Sequence, residues 1–231
     1  MVKSFKKSIV AAFLGISVLT GCQLSEAVAL VDHKEIKKNN VEVLIPSVKK
    51  GASSDVLKKI NAELDKAVKD RLDEYMGYLK EDTRVSTDRY IFYSSYAVKF
   101  NKNDLVSMVM DSYQYTGGAH GMKWKDSVTA DLKTGKILKL GDLFKFGSAY
   151  DTVLNEKIRA QIDAKEYRKD DISFVGVNNE TNFYLTEELL VIYYQPYDIA
   201  PYVYGMVAFY IDNDELEDIY KDDINIMLQK P

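Results

Sequence analysis

The chain has 231 residues, of which 46 % are hydrophobic and 29 % charged. That is enough apolar material for one large core or two small ones, and it excludes an intrinsically disordered chain. A formal net charge of −4 and an isoelectric point near 5.4 argue against nucleic acid as a partner.

Lys3, Lys6 and Lys7 precede Ile9–Thr20, an apolar run without charge. It is shorter than the about 20 residues a membrane-spanning helix needs. A basic start followed by a short apolar core reads as a secretory signal. The run ends in Leu19-Thr20-Gly21-Cys22, and Cys22 is the single cysteine. This resembles the lipobox of bacterial lipoproteins, in which the cysteine is lipidated and the chain is cut before it. The resemblance makes residues 1–21 a lipoprotein signal peptide and Cys22 the lipidation site that ties the protein to a membrane. The bland alternative is a buried cysteine in an uncleaved anchor helix. Cleavage removes three lysines and takes the net charge from −4 to −7. With its cysteine lipidated the domain has no disulfide and is held by packing alone. Residues 22–40 are expected to be the lipidated Cys and a polar tether.

Val41–Val48 alternates partly and contains Pro46, which predicts an edge strand. Ser53, Ser54 and Asp55 offer helix caps. Val56, Ile60, Leu64, Val68, Leu72, Tyr75 and Leu79 then recur at helical spacing. Arg89–Phe100 and Leu105–Tyr115 read as a hairpin across Asn101-Lys102-Asn103-Asp104. Met122–Asp131 is a further strand and Ile137–Leu140 a short return strand. A second helix is expected from a Ser148 cap through Ile162. Asn182–Leu185, Leu189–Tyr194 and Gly205–Ile211 read as strands, and Asp212 and Asp214 as caps of a short helix toward Tyr220. The fold class is α+β: antiparallel sheets with one long N-terminal helix, a central helix and a short C-terminal one.

Tyr115-Thr116-Gly117-Gly118-Ala119-His120-Gly121 interrupts the strands. Paired glycines there indicate a bend or close backbone approach. Three further segments stand out: Val43-Leu44-Ile45-Pro46 before the long helix, Asp131-Leu132-Lys133-Thr134-Gly135-Lys136 with Leu140-Gly141-Asp142-Leu143-Phe144, and Tyr197-Asp198-Ile199-Ala200-Pro201-Tyr202 before Gly205. In this order they resemble the RsiV/PdaC-like extracytoplasmic domains of bacteria. The resemblance implies a PdaC-like part over 41–120 and an RsiV-like part over 121–231, packed as one unit. In that family the domain occurs on an anti-sigma factor, where it binds lysozyme, and beside a polysaccharide deacetylase. Neither a sigma-binding segment nor a second catalytic domain is seen here. What the resemblance implies is therefore an envelope binding module, with lysozyme or a peptidoglycan-like glycan as partner.

His120 is a candidate base or ligand, or a histidine fixed by a backbone bond in the bend. Two histidines and one cysteine make no usual zinc set, and Asp212-Asn213-Asp214 lacks the glycine of a calcium loop. No nucleophile elbow or phosphate loop is present, so neither a cofactor nor an enzyme is expected; a hydrolase using His120 and a purely structural lipoprotein are the rival readings. The stronger signal is aromatic: tyrosine occurs 17 times, and Tyr197, Tyr202 and Tyr204 crowd a loop stiffened by Pro196 and Pro201. Such rings either plug the sheet end or form a binding surface. The candidate binding residues are Tyr115, Gly117, Gly118, His120, Tyr197, Pro201, Tyr202 and Tyr204.

Overall fold

The computed structural model describes residues 28–81, 89–164 and 171–229. Cys22 and the signal segment lie outside the described residues. The elements are β1 (Leu30–Lys38), β2 (Val41–Lys50), α1 (Ser54–Glu81), β3 (Ile91–Lys102), β4 (Leu105–Tyr115), β5 (Met122–Asp131), α2 (Tyr150–Ala164), β6 (Phe183–Leu185), β7 (Leu189–Tyr194), β8 (Val207–Asp212) and α3 (Asp222–Leu228). Short 3-10 turns stand at Leu140–Leu143, Tyr202–Tyr204 and Asn213–Leu216. Strands β1 to β5 form one sheet in chain order, and β6 to β8 form a second. The fold is α+β, with the long, central and short C-terminal helices in the expected order.

Helix α1 follows from its apolar spacing. Val56, Ile60, Leu64, Val68 and Tyr75 are its buried residues, and they pack on Val43, Ile45, Phe92, Met108, Met110 and Ala130 of the sheet. Each fully buried aliphatic side chain contributes about 1.5–3 kcal/mol. Ser53 begins the helix: its Oγ accepts the Val56 N–H at 3.4 Å, and its carbonyl accepts the Leu57 N–H at 2.9 Å. The helix connects β2 to β3, which pair in parallel over Val41–Val43 and Phe92–Ser94; the other pairings are antiparallel. The β3–β4 turn places Asn103 and Asp104 at φ 51° and 64°, the left-handed pair that a two-residue hairpin requires.

The other sheet face, around Phe100 and Leu105, carries a second core. There Leu154 and Ile158 of α2, Leu190, Ile192 and Phe209 of the smaller sheet, and Tyr220 pack together. Buried hydroxyls tie the two sheets. The Leu185 N–H donates to Ser107 Oγ at 3.0 Å, Ser127 Oγ donates to the Phe183 carbonyl at 2.6 Å, and the Tyr193 hydroxyl donates to Ser127 Oγ at 2.9 Å. Burial pushes the Tyr193 pKa up, so it stays a donor.

Four side-chain amides each close on both backbone groups of one residue, as a neighbouring strand would. Asn61 bonds Val48 at 2.7 and 2.9 Å, and Asn101 bonds Ala29 at 2.8 and 2.8 Å. Gln161 bonds Tyr210 at 2.6 and 3.1 Å, and Gln195 bonds Lys125 at 3.1 and 2.5 Å.

Several expectations need correction. The stretch read as tether supplies β1 from Leu30 onward. Because β1 covers β2, the strand with Pro46 is interior rather than at the edge; the proline lies past the β2–β3 ladder, so its missing N–H removes no bond from it. Strand β5 belongs to the first sheet and runs to Asp131. Ile137 makes only an isolated bridge to Ala130 rather than a return strand. The Ser148 hydroxyl caps nothing: it is buried without a partner, and Ala149, at φ 49°, stands between it and α2. The segment after Asp212 is a short 3-10 turn without a side-chain cap, and the C-terminal α-helix begins after Tyr220.

Candidate functional site

Side chains alternate across a strand. With Phe92, Met108 and Met110 turned to α1, Tyr93, Asp111 and Tyr113 face the opposite way. The register sets them side by side: Tyr93 opposite Tyr113 and Ser95 opposite Asp111, Glu42 opposite Tyr93, and Lys123 and Lys125 opposite Tyr113 and Asp111. Near Leu105 and Ser107 this face is covered by the smaller sheet. Further along it is open, and the loop between β7 and β8 overhangs it. The result is a cleft of about 910 Å³, floored by Glu42, Tyr93, Asp111, Tyr113, Lys123 and Lys125 and walled by Pro196 and by Tyr202 through Met206. Trp124 lines its edge. The Arg71 guanidinium lies 5.5 Å from the Trp124 ring centroid and bonds Asp126 through Nε and Nη2 at 3.1 Å each; α1 thereby holds the tryptophan in place.

Hydrogen bonds hold the overhanging loop at several points, among them the Ser173 N–H to the Ile199 carbonyl at 2.8 Å. Gln195 clamps Lys125 at its start, the Tyr202 hydroxyl donates to the Gly121 carbonyl at 2.7 Å, and the Tyr204 hydroxyl donates to the Asp171 carboxylate at 2.7 Å. The loop carries backbone strain at Tyr197, a non-glycine residue with φ 75°. It leaves through Gly205 at φ 63°, a conformation that favours glycine.

The two sequence-distant candidate segments meet here. The His120 ring stacks on Tyr202 with centroids 4.0 Å apart and planes 14° apart, and Tyr197 stacks on Tyr202 at 5.5 Å. His120 Nδ1 lies 2.9 Å from the Gly121 carbonyl. A carbonyl only accepts, so Nδ1 carries the proton, and Nε2 of the neutral ring is left as an acceptor. The exposed histidine is thus fixed by a backbone bond. Tyr202 and Tyr204 line the cleft, while Tyr197 and Pro201 are exposed beside it. Tyr115, Gly117 and Gly118 do not reach it. The Tyr115 hydroxyl donates to the Gly118 carbonyl at 3.0 Å, and the two glycines sit at φ 89° and 99°: this is turn chemistry that positions His120.

Sequence reasoning did not single out the floor residues, or Gly121 as a residue with its own role. A Cβ on Gly121 would lie 2.4 Å from Cζ and Oη of Tyr113. Gly121 therefore seats the Tyr113 ring while its carbonyl receives both His120 and Tyr202. Among the described residues, no group of three or more His, Cys, Asp and Glu is placed to hold a metal, and no helix is long and apolar enough to cross a membrane.

A helix-backed five-stranded sheet joined through its open face to a three-stranded sheet defines a two-part class of α+β domain. Residues 33–123 match the family model described as deacetylase PdaC, and residues 141–214 match that of a protein of unknown function, DUF3298. Together the two matches support a PdaC/RsiV-like domain family. It is 23 % identical over 173 residues to the peptidoglycan-N-acetylmuramic acid deacetylase PdaC of Bacillus subtilis, an alignment covering 70 % of this chain and 37 % of that protein. It is 24 % identical over 203 residues to the anti-sigma-V factor RsiV of Bacillus subtilis, covering 82 % of this chain and 68 % of that protein. Two solved structures share the fold. A DUF3298 family member from Bacteroides fragilis aligns at TM-score 0.65 and 18 % identity, over 88 % of this chain and 98 % of its own. Another from Pseudomonas aeruginosa aligns at TM-score 0.55 and 21 % identity, over 85 % and 94 %.

Proposed function

We propose that the protein is a lipid-anchored, extracytoplasmic binding domain of the bacterial cell envelope that takes its ligand in the cleft between the five-stranded sheet and the 195–206 loop. The observation that carries this reading is the convergence of the His120 and Tyr202 segments at the rim of one aromatic-lined cleft. Aromatic side chains held by hydrogen bonds give contact area at little entropic cost. The cleft volume falls in the range of small-ligand sites. The anchor is lipid on Cys22, as the Leu19-Thr20-Gly21-Cys22 motif implies. The partner is an envelope component: a peptidoglycan-like glycan, or a protein such as lysozyme.

The rival is an envelope hydrolase, favoured by the uncommitted Nε2 of His120. Against it stands the Nδ1 partner, a neutral backbone carbonyl in place of the carboxylate that usually orients a catalytic imidazole. The test is capture of purified sacculi and of lysozyme by the wild-type chain, Tyr202→Ala and His120→Ala, with circular dichroism as the folding control. A binding domain loses capture in Tyr202→Ala by tenfold or more. A hydrolase keeps capture in His120→Ala and loses turnover. Wild-type capture in both variants removes this rim from the binding surface.

A further inference from the structure

We infer that the open part of the sheet face is a saccharide platform, which takes an extended, uncharged stretch of β-linked pyranose units laid across the strands beneath the 195–206 loop. This rests on the reading of the cleft as the binding site. Tyr93 and Tyr113 are directly opposed on neighbouring strands, and Tyr93 is 44 % exposed. Strands lie about 4.8 Å apart, close to the length of one pyranose unit, so consecutive rings of a flat β-linked chain meet consecutive aromatic side chains. The apolar C–H face of an equatorially substituted sugar suits an aromatic face, whose quadrupole is negative. Its hydroxyls then point outward, toward the ring edges.

Hydrogen-bonding groups stand at those edges. Glu42 flanks Tyr93 on one side of the row, and Lys123 flanks Tyr113 on the other. Asp111 occupies the next row beside Ser95. The two carboxylates bring their own cations: Lys37 pairs with Glu42 at 2.6 Å and Lys125 pairs with Asp111. This pairing favours an uncharged ligand, by the modest amount that exposed ion pairs are worth. A charged polypeptide would have to compete with both ion pairs, whereas a polyol shares their lone pairs and N–H groups without breaking them. An α-linked chain curves away from a flat row and satisfies only one ring at a time.

Trp124, opposite Ser112, turns its ring to the α1 side of β5 against Arg71, so occupancy is read by titration calorimetry rather than from its emission. The experiment titrates the full purified chain with chitotetraose, cellotetraose and maltotetraose, and in parallel measures lysozyme capture, for wild type, Tyr93→Ala and Tyr93→Phe. The expected result is saturable binding heat with the two β-linked tetramers and none with maltotetraose. Tyr93→Ala weakens binding tenfold or more and Tyr93→Phe stays within threefold, so a folding defect in the alanine variant does not decide the matter. Equal binding of maltotetraose overturns the flat-chain platform. If neither β-linked tetramer responds at millimolar concentration while lysozyme capture depends on Tyr93, the saccharide assignment falls and the cleft remains the binding site. If no ligand depends on Tyr93, both fall.

Discussion

Replacing Gly121 by Ala probes the centre of the site with one methyl group. The added Cβ would sit 2.4–2.5 Å from Cζ, Oη and Cε2 of Tyr113, where carbon contacts settle at about 3.5–4.0 Å. The ring end must therefore move by roughly 1–1.5 Å to restore contact distance. Backbone strain adds nothing, because the φ of Gly121 is not in the left-handed region. The clash is with the far end of a swinging side chain, so the cost lies at the low end of the overpacking range, about 1 kcal/mol. For a chain of this size that is a fall of about 2–4 °C in Tm. The larger effect is on ligand capture, since the displaced ring is on the cleft floor. The assay is a double-mutant cycle with Tyr113→Ala, read by thermal melt and by binding. In the Tyr113→Ala background the methyl should cost less than about 0.3 kcal/mol, leaving a coupling near the full 1 kcal/mol. An equal cost in both backgrounds refutes the reasoning: the methyl would then be clashing with something other than the ring.

Three further predictions follow from single observations. Gly118→Val should destabilise the fold by about 1–2 kcal/mol although open space surrounds the position, because φ 99° strains a β-branched residue; an unchanged Tm would refute this. Asp142 loses some affinity for its charge to burial, but bonds from Lys136 Nζ and the Lys139 N–H outweigh that and hold its carboxyl below the usual value. A depressed folded pKa adds stability above the unfolded value near 3.8, lost as pH falls through the folded pKa. Asp142→Asn should then cost about 1 kcal/mol at pH 7 and nothing measurable at the acid end of a denaturation series, where a constant deficit would count against it. Cys22→Ala should abolish incorporation of a fatty-acid probe and leave the precursor uncut; equal labelling of mutant and wild type would remove the proposed anchor.

The bounds of β4, β5 and β7 were legible to the residue, and α1 nearly so: β4 and β7 are continuous apolar runs buried on both faces and closed by turn residues, and α1 has one apolar face at helical spacing. Strand β1 escaped for the complementary reason: at the sheet edge, eight of its nine residues, all but Val31, are exposed, so Asp32-His33-Lys34-Glu35 shows no period of two. Pro46 misled through a sound local rule, since the strand that overrides it was hidden in the presumed tether. Ser148 has the residue type of a cap, but capping needs a backbone geometry that Ala149 interrupts. At the site, His120 and Tyr202 were visible as unusual residues in unusual segments, and the chain does bring them into contact. Tyr93, Tyr113 and Asp111 looked like ordinary outward positions on strands. Only the register shows that they share a floor, and only the smaller sheet's partial coverage shows that the floor is open.

The four amides that stand in for missing strands also set how this protein ages. Asn and Gln side chains are thermolabile, and hydrolysis of Asn61, Asn101, Gln161 or Gln195 turns an N–H₂ donor into a carboxylate oxygen facing a backbone carbonyl. One bond is lost and two acceptors are left opposed, at the places where each sheet would otherwise offer free N–H and C=O groups to another chain. Deamidation at these four sites is therefore expected to expose strand edges to pairing with another chain. At Gln195 the same exchange also weakens the clamp on Lys125 at the start of the loop that walls the cleft.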